Sequence, residues 1–302
     1  MLWGMMYARS SEDLELEPLD DDTVNWPEVA EATYVVRQRF RYDYPAPISD
    51  LHHRLMLVPR TRHGDQRRIA SRLDVSPHVT THDGHDAFGN PVATIFARRI
   101  ESAIEFAHWS VVTRQRNGEH RLERSIAADA TLHTPTDLTA ADAELRAIAK
   151  TLRTGMPGER ELAETLNAYV HEHMTYVSGS TTVETTAAKA FEQGSGVCQD
   201  FAHIMIALAR RCGLAARYVS GHLVGEGGTH AWVEIVIADG TSAQVLAFDP
   251  THGCRVDMRY IVVAVGRDYA DVAPTSGVYT APCQGEMSTS KRVGATRVRY
   301  NG

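Results

Sequence analysis

Gly196-Val197-Cys198-Gln199-Asp200-Phe201-Ala202-His203-Ile204-Met205-Ile206-Ala207-Leu208-Ala209-Arg210-Arg211-Cys212-Gly213 is the stretch from which the rest of the 302-residue chain can be laid out. Val197, Phe201, Ile204, Met205 and Leu208 recur at helical spacing and Gly213 supplies a stop, which predicts a buried helix. Cys198 falls in its first turn. There the free backbone N–H groups and the helix dipole favour a negative charge, the condition that makes a thiol nucleophilic. The bland reading of such a cysteine is a small buried hydrophobe. The glycines at 194 and 196 are expected to let another chain or a ligand come close.

Downstream of this helix, residues 215–223, 230–237 and 245–248 are rich in β-branched and aromatic residues. They are separated by Gly225-Glu226-Gly227-Gly228 and by Asp239-Gly240, the pattern of antiparallel strands and turns. Alternation along Thr229-His230-Ala231-Trp232-Val233-Glu234-Ile235 puts His230, Trp232 and Glu234 on one face. Asp249 ends the next strand. If the two strands pair antiparallel, His230 and Asp249 are neighbours, and a base with an orienting carboxylate stands ready for Cys198.

Upstream, Thr139 followed by Asp142 predicts a helix start, with Leu145, Ile148 and Leu152 on one face and Gly155 as its end. Pro157-Gly158 restarts the chain into a second amphipathic helix through Leu162, Leu166 and Met174. A short third helix runs from about 186 to 193. Before these, residues 33–127 read as a series of strands, with turns at Asp86-Ala87-Phe88-Gly89-Asn90-Pro91 and Asn117-Gly118. Residues 1–32 are an acidic leader with an apolar start, expected to be partly disordered. The division expected is therefore 1–32 leader, 33–133 β-rich domain and 134–297 catalytic domain. The class is α+β: an antiparallel, β-sandwich-like domain followed by helices on an antiparallel sheet.

Composition narrows the function. With 31 basic and 38 acidic residues the net charge is −7, against the basic patch a nucleic-acid partner would select. No run reaches the roughly 18 apolar residues of a membrane helix, and the N-terminus lacks the features of a signal peptide. Cys198, Cys212, Cys254 and Cys283 form no CxxC pair, as expected for free thiols of a cytoplasmic protein. The close histidine sets, His52-His53, His82 with His85 and His171 with His173, give no zinc ligand set, and no phosphate-binding glycine loop or acidic calcium loop is present. No metal and no cofactor are expected.

Four blocks in order, Gly196-Val197-Cys198-Gln199-Asp200-Phe201-Ala202-His203, Ala216-Arg217-Tyr218-Val219-Ser220-Gly221, His230-Ala231-Trp232-Val233-Glu234 and Phe248-Asp249-Pro250-Thr251, closely resemble the transglutaminase-like superfamily, nearest to its bacterial branch. Gly266-Arg267-Asp268-Tyr269-Ala270-Asp271-Val272 and Gly277-Val278 also resemble that branch. The resemblance implies a papain-like core with Cys198 as nucleophile, His230 as general base and acid and Asp249 as the orienting group. It places Tyr176, whose bland reading is a core tyrosine, at an oxyanion-stabilising position beside the Cys198 amide. The activity implied is hydrolysis of amide or peptide bonds through a thioester. Transamidation to an amine and a non-catalytic binding role are the alternatives. The partner implied is a peptide, protein or small-amide substrate, with oligomeric state open. Asp200 is expected to cap local N–H groups or pair with an arginine, His203 to be structural, and Trp232 either to shield His230 or simply to pack.

Overall fold

The computed structural model describes residues 17–116, 118–155 and 158–301. The first sixteen residues of the leader, Asn117 of the expected turn and Pro157 lie outside the described residues. In chain order the elements begin with β1 (Val29–Asp43), β2 (Ile48–Leu55), β3 (Arg62–His63), β4 (Gln66–Ser76), β5 (Thr80–His85), β6 (Pro91–Ile100), β7 (Ala103–Gln115) and β8 (Arg121–Glu123). A helical stretch follows with α1 (Ala130–His133), α2 (Ala143–Arg153), α3 (Glu159–His173), β9 (Thr175–Tyr176), α4 (Ala187–Gln193), β10 (Ser195–Gly196) and α5 (Cys198–Arg211). The chain closes with β11 (Ala215–Leu223), β12 (His230–Asp239), β13 (Ser242–Asp249), β14 (Cys254–Arg255), β15 (Tyr260–Gly266), α6 (Tyr269–Val272), β16 (Thr275–Thr280) and β17 (Glu286–Tyr300).

Strands outweigh helices, and apart from the short parallel pair β9–β10 the ladders are antiparallel. A five-stranded sheet has the order β17-β1-β7-β4-β3 and a four-stranded sheet the order β16-β2-β6-β5. Phe40, Leu51, Ile95, Ile104 and Phe106, drawn from both sheets, share one apolar core. The last two strands return to these N-terminal sheets, β16 beside β2 and β17 along the whole of β1. The described part of the leader is held as well: Trp26 is buried and stacks on Tyr34, and β1 begins at Val29, four residues before the alternating pattern becomes clear.

The six-stranded sheet runs β14-β13-β12-β11-β15, with β8 added on β13. Helix α5 lies on one face of it. Ala231, Val233 and Ile235 of β12 point into the same core as Phe201, Ile204, Met205 and Leu208, as the period-two alternation requires. The buried residues of α5 run without a break from Gln199 to Arg210, so it is surrounded on all sides by α2, α3, α4 and the sheet. The start of α2 is capped by the Asp142 side chain, which accepts from Leu145 N at 2.9 Å. Thr139 instead closes a preceding 3-10 turn with Thr136. Asp142 wins because its carboxylate reaches the third helical N–H from the residue just before the helix.

Arg210 is the main polar group inside this layer. Its guanidinium donates to Leu132 O, Thr139 Oγ1, Ala216 O and Arg267 O at 2.7–3.1 Å. Burial pushes its pKa down to about 10. Arg210→Ala strands several buried acceptors, so a stability loss of roughly 3 kcal/mol or more is expected, read as a fall in Tm without a change of fold. Among the described residues no helix is long and apolar enough to cross a membrane.

Candidate active site

Cys198 is the first residue of α5 and is partly exposed. The turn before it is built from the Asp200 side chain, whose Oδ2 accepts from Val197 N at 2.8 Å and from Thr181 Oγ1 at 2.6 Å. Gly196 is what makes this possible: a Cβ there would lie 2.6 Å from both Cβ and Oδ2 of Asp200. The glycine makes room for the protein's own carboxylate rather than for a visiting chain. Gly194 ends α4 in the left-handed conformation, φ 64°, and β10 then pairs with β9, bringing Tyr176 opposite Gly196. Tyr176 is 56% exposed, so it is a rim residue and not a core tyrosine.

His230 opens β12 and Asp249 closes β13, and the two strands pair antiparallel. His230 Nε2 lies 2.7 Å from Asp249 Oδ2. Cys198 is close enough to the same imidazole to favour its charged form, and with Nε2 engaged by Asp249 the nitrogen open to the sulfur is Nδ1. The structure thus brings Cys198, His230 and Asp249 together in the order thiol, imidazole, carboxylate. Behind His230, Trp232 lies nearly parallel at 6.2 Å, and Tyr260 meets Trp232 edge-on at 5.4 Å. Both aromatics are fully buried and keep water from that side of the pair.

The Asp249 carboxylate is saturated. Oδ2 also accepts from His252 Nδ1 and Tyr260 OH, each at 2.8 Å, while Oδ1 accepts the backbone N–H groups of Thr251 and His252 at 2.9 and 3.3 Å. Burial alone would raise its pKa, but the bonds from His230, His252 and Tyr260 hold it well below the ordinary carboxylate range. Burial likewise opposes a proton on His230, yet the Asp249 and Cys198 contacts outweigh it and raise the pKa to about 10. In folded protein the imidazolium therefore persists to high pH. If turnover uses that proton, the basic limb of kcat/KM should fall near pH 10 and not near 6.5, the usual histidine value. A pH–rate profile checks this.

Several groups at the site carry weak sequence signals or none. His252 follows Asp249 by three residues across a tight turn, a spacing that could have been noticed. Tyr260 reaches Asp249 only through the β13–β14–β15 path. Glu226, in the glycine loop, places Oε2 3.3 Å from His230 Nδ1 and Oε1 3.1 Å from His252 Nε2. Lys291, on β17, reaches within 3.4 Å of Thr229 Oγ1 and sits 5.5 Å from the Phe40 ring centre. Burial lowers its pKa, and the neighbouring Cys198 thiolate acts the other way. His203 is buried with Nε2 accepting Tyr269 N at 3.2 Å.

A second polar cluster lies on the face of β12 away from α5. Glu234 Oε1 is 2.7 Å from His63 Nε2 and Glu234 Oε2 is 2.6 Å from Arg217 Nε. Burial would raise the Glu234 pKa, but Arg217 and His63 hold it well below normal. Burial depresses His63 and lowers His120 to about 4, so both rings are neutral at pH 7.

The sequence profile of the transglutaminase-like superfamily matches residues 146–250, and that of the bacterial transglutaminase-like N-terminal region matches residues 34–113. An uncharacterized protein of Mycobacterium tuberculosis is 30% identical over 292 residues, covering 85% of this chain and 91% of its own. One of Mycobacterium leprae is 28% identical, over 79% and 90%. Among solved structures, a candidate cysteine protease from Cytophaga hutchinsonii superposes with a TM-score of 0.72 at 18% identity, over 90% of this chain and 93% of that one. The chain belongs to the transglutaminase-like superfamily, with the bacterial N-terminal region of that group.

Proposed function

We propose that the protein is a cysteine enzyme that hydrolyses amide or peptide bonds through a thioester, with Cys198, His230 and Asp249 as its catalytic triad in a papain-like core. The single observation that carries this is the convergence of Cys198, at the N-terminus of a buried helix, with a His230 imidazole hydrogen-bonded to Asp249 and electrostatically coupled to Cys198. In this reading the four- and five-stranded sheets form the sandwich-like N-terminal unit. The unpaired state of all four cysteines agrees with a cytoplasmic location.

The Cys198 thiolate attacks the substrate carbonyl and the sulfur–carbon bond forms. Negative charge moves to the carbonyl oxygen, where the Cys198 N–H and the Tyr176 hydroxyl serve as donors. His230 gives its Nδ1 proton to the leaving nitrogen, the carbon–nitrogen bond breaks and the amine departs. His230, now neutral, takes a proton from water, whose oxygen attacks the thioester. Collapse breaks the carbon–sulfur bond and releases the acid; sulfur leaves as the thiolate while His230 keeps the proton taken from water, so the thiolate–imidazolium pair is restored. Asp249 holds Nε2–H throughout, so that Nδ1 always faces sulfur.

One observation favours an amine over water as acceptor. Glu226 sets a carboxylate 3.3 Å from His230 Nδ1, and its side chain is 42% exposed. A cationic amine would be drawn there. Product analysis of a thioester-forming substrate, with and without cadaverine, separates the two outcomes. Free acid alone assigns hydrolysis, and a cadaverine amide that diminishes in Glu226→Gln assigns transamidation. A protein that turns over neither a peptide library nor small amides would contradict the enzymatic reading.

A further inference from the structure

Three side chains from distant parts of the chain converge on the face of the six-stranded sheet opposite α5. They are His63 in β3, His120 just before β8 and Glu234 in β12. Each offers a ligand atom, and these atoms all lie within 4.8 Å of one another. The His120 ring meets His63 edge-on at 4.6 Å. His63 and Glu234 are buried, yet all three line a cavity of about 360 Å³ between the N-terminal five-stranded sheet and the six-stranded sheet. Gly64, at φ +55°, helps build the cluster: a Cβ there would come within 2.9 Å of the His120 ring.

We propose that His63, His120 and Glu234 bind a divalent transition-metal ion of the zinc class and so clasp the N-terminal sheet to the sheet that carries the triad. Two imidazoles and a carboxylate are a donor set zinc accepts, with water in a fourth position facing the cavity. The His63 proton that now lies between Nε2 and Glu234 Oε1 moves to Nδ1 when the ion binds, so the ring stays neutral and both Nε2 and Oε1 are free to hold the metal. Arg217 grips the other carboxylate oxygen, which orients the ligand and leaves Oε1 for the metal. Arg217 and Arg60 act against a cation at His63, and Arg114, Arg160 and Arg255 also line the cavity; Asp65 and Glu119 stand on the same walls, Asp65 paired with Arg114 and Glu119 with Arg121. The clasp is independent of the thiol chemistry.

The test uses the full chain carrying Cys198→Ala, stripped with a chelator. This variant has no thiol at the other histidine-rich centre, His230, Asp249 and His252. Zinc(II) is titrated by calorimetry, and cobalt(II) by its visible absorption. One site per chain is expected in the micromolar range or tighter, with a Tm rise of roughly 5–10 °C at a hundredfold excess over Kd. Adding His120→Ala leaves the His63–Glu234–Arg217 contacts in place. It should keep the metal-free Tm while weakening binding about 100-fold or more, beyond the loss of an outer-shell partner. The proposal is overturned if the parent takes up no metal at micromolar concentration. It is equally overturned if His120→Ala binds as tightly as the parent, since the metal then sits elsewhere.

Discussion

Cys198→Ala is expected to lower amide turnover roughly a millionfold, about 8 kcal/mol of transition-state stabilisation, while leaving the fold in place. Cys198 begins α5 and is only partly buried, and alanine is a good helix former, so stability should change by less than about 1 kcal/mol. The Asp200 bonds to Val197 N and Thr181 Oγ1 that shape the turn do not involve the thiol. What disappears is the atom that forms the thioester. Single-turnover kinetics on a chromogenic amide, beside a Tm measurement, separate lost chemistry from lost structure. Activity within tenfold of the parent would rule out Cys198 as nucleophile.

Asp249→Asn should cost about 10⁴ in kcat, the scale seen when a triad carboxylate loses its charge. Three side-chain donors and two backbone N–H groups converge on this one carboxylate. An amide in its place must turn its NH2 toward some of them, so stability should also fall, by about 3 kcal/mol. The sign of the pH effect follows from His230, whose proton Asp249 helps to hold at a pKa of about 10. Without the carboxylate's charge the imidazolium is less favoured, and the basic limb of the rate profile should move to lower pH. A limb unmoved by the substitution would mean that another group sets it.

The parts of the molecule legible in the sequence are those whose contacts are local. The apolar spacing of Phe201, Ile204, Met205 and Leu208 marked α5, and the glycine turns marked β11 to β13. Once those strands are taken as neighbours, His230 and Asp249 fall together without further information. What could not be read depends on non-local pairing. Nothing within residues 275–300 says that they complete the N-terminal sheets, so Lys291 gave no sign that it would approach Cys198. His63 and Glu234 are 171 positions apart and meet only because two sheets pack face to face. Spacing rules for histidine pairs look for neighbours in sequence and pass over such a cluster. Tyr260 was invisible for the same reason, whereas Asp142 as the cap of α2 was in plain view and lost only to the earlier Thr139.

The most direct test of the central claim is to trap the acyl-enzyme. The protein is quenched during turnover of an activated amide or ester and its peptides are mapped by mass spectrometry. The account predicts one acyl group, on the peptide that contains Cys198, released by hydroxylamine and no longer accumulating in His230→Ala. Acylation of Cys212, Cys254 or Cys283 instead, or steady turnover with no adduct on Cys198 at any time, would contradict it.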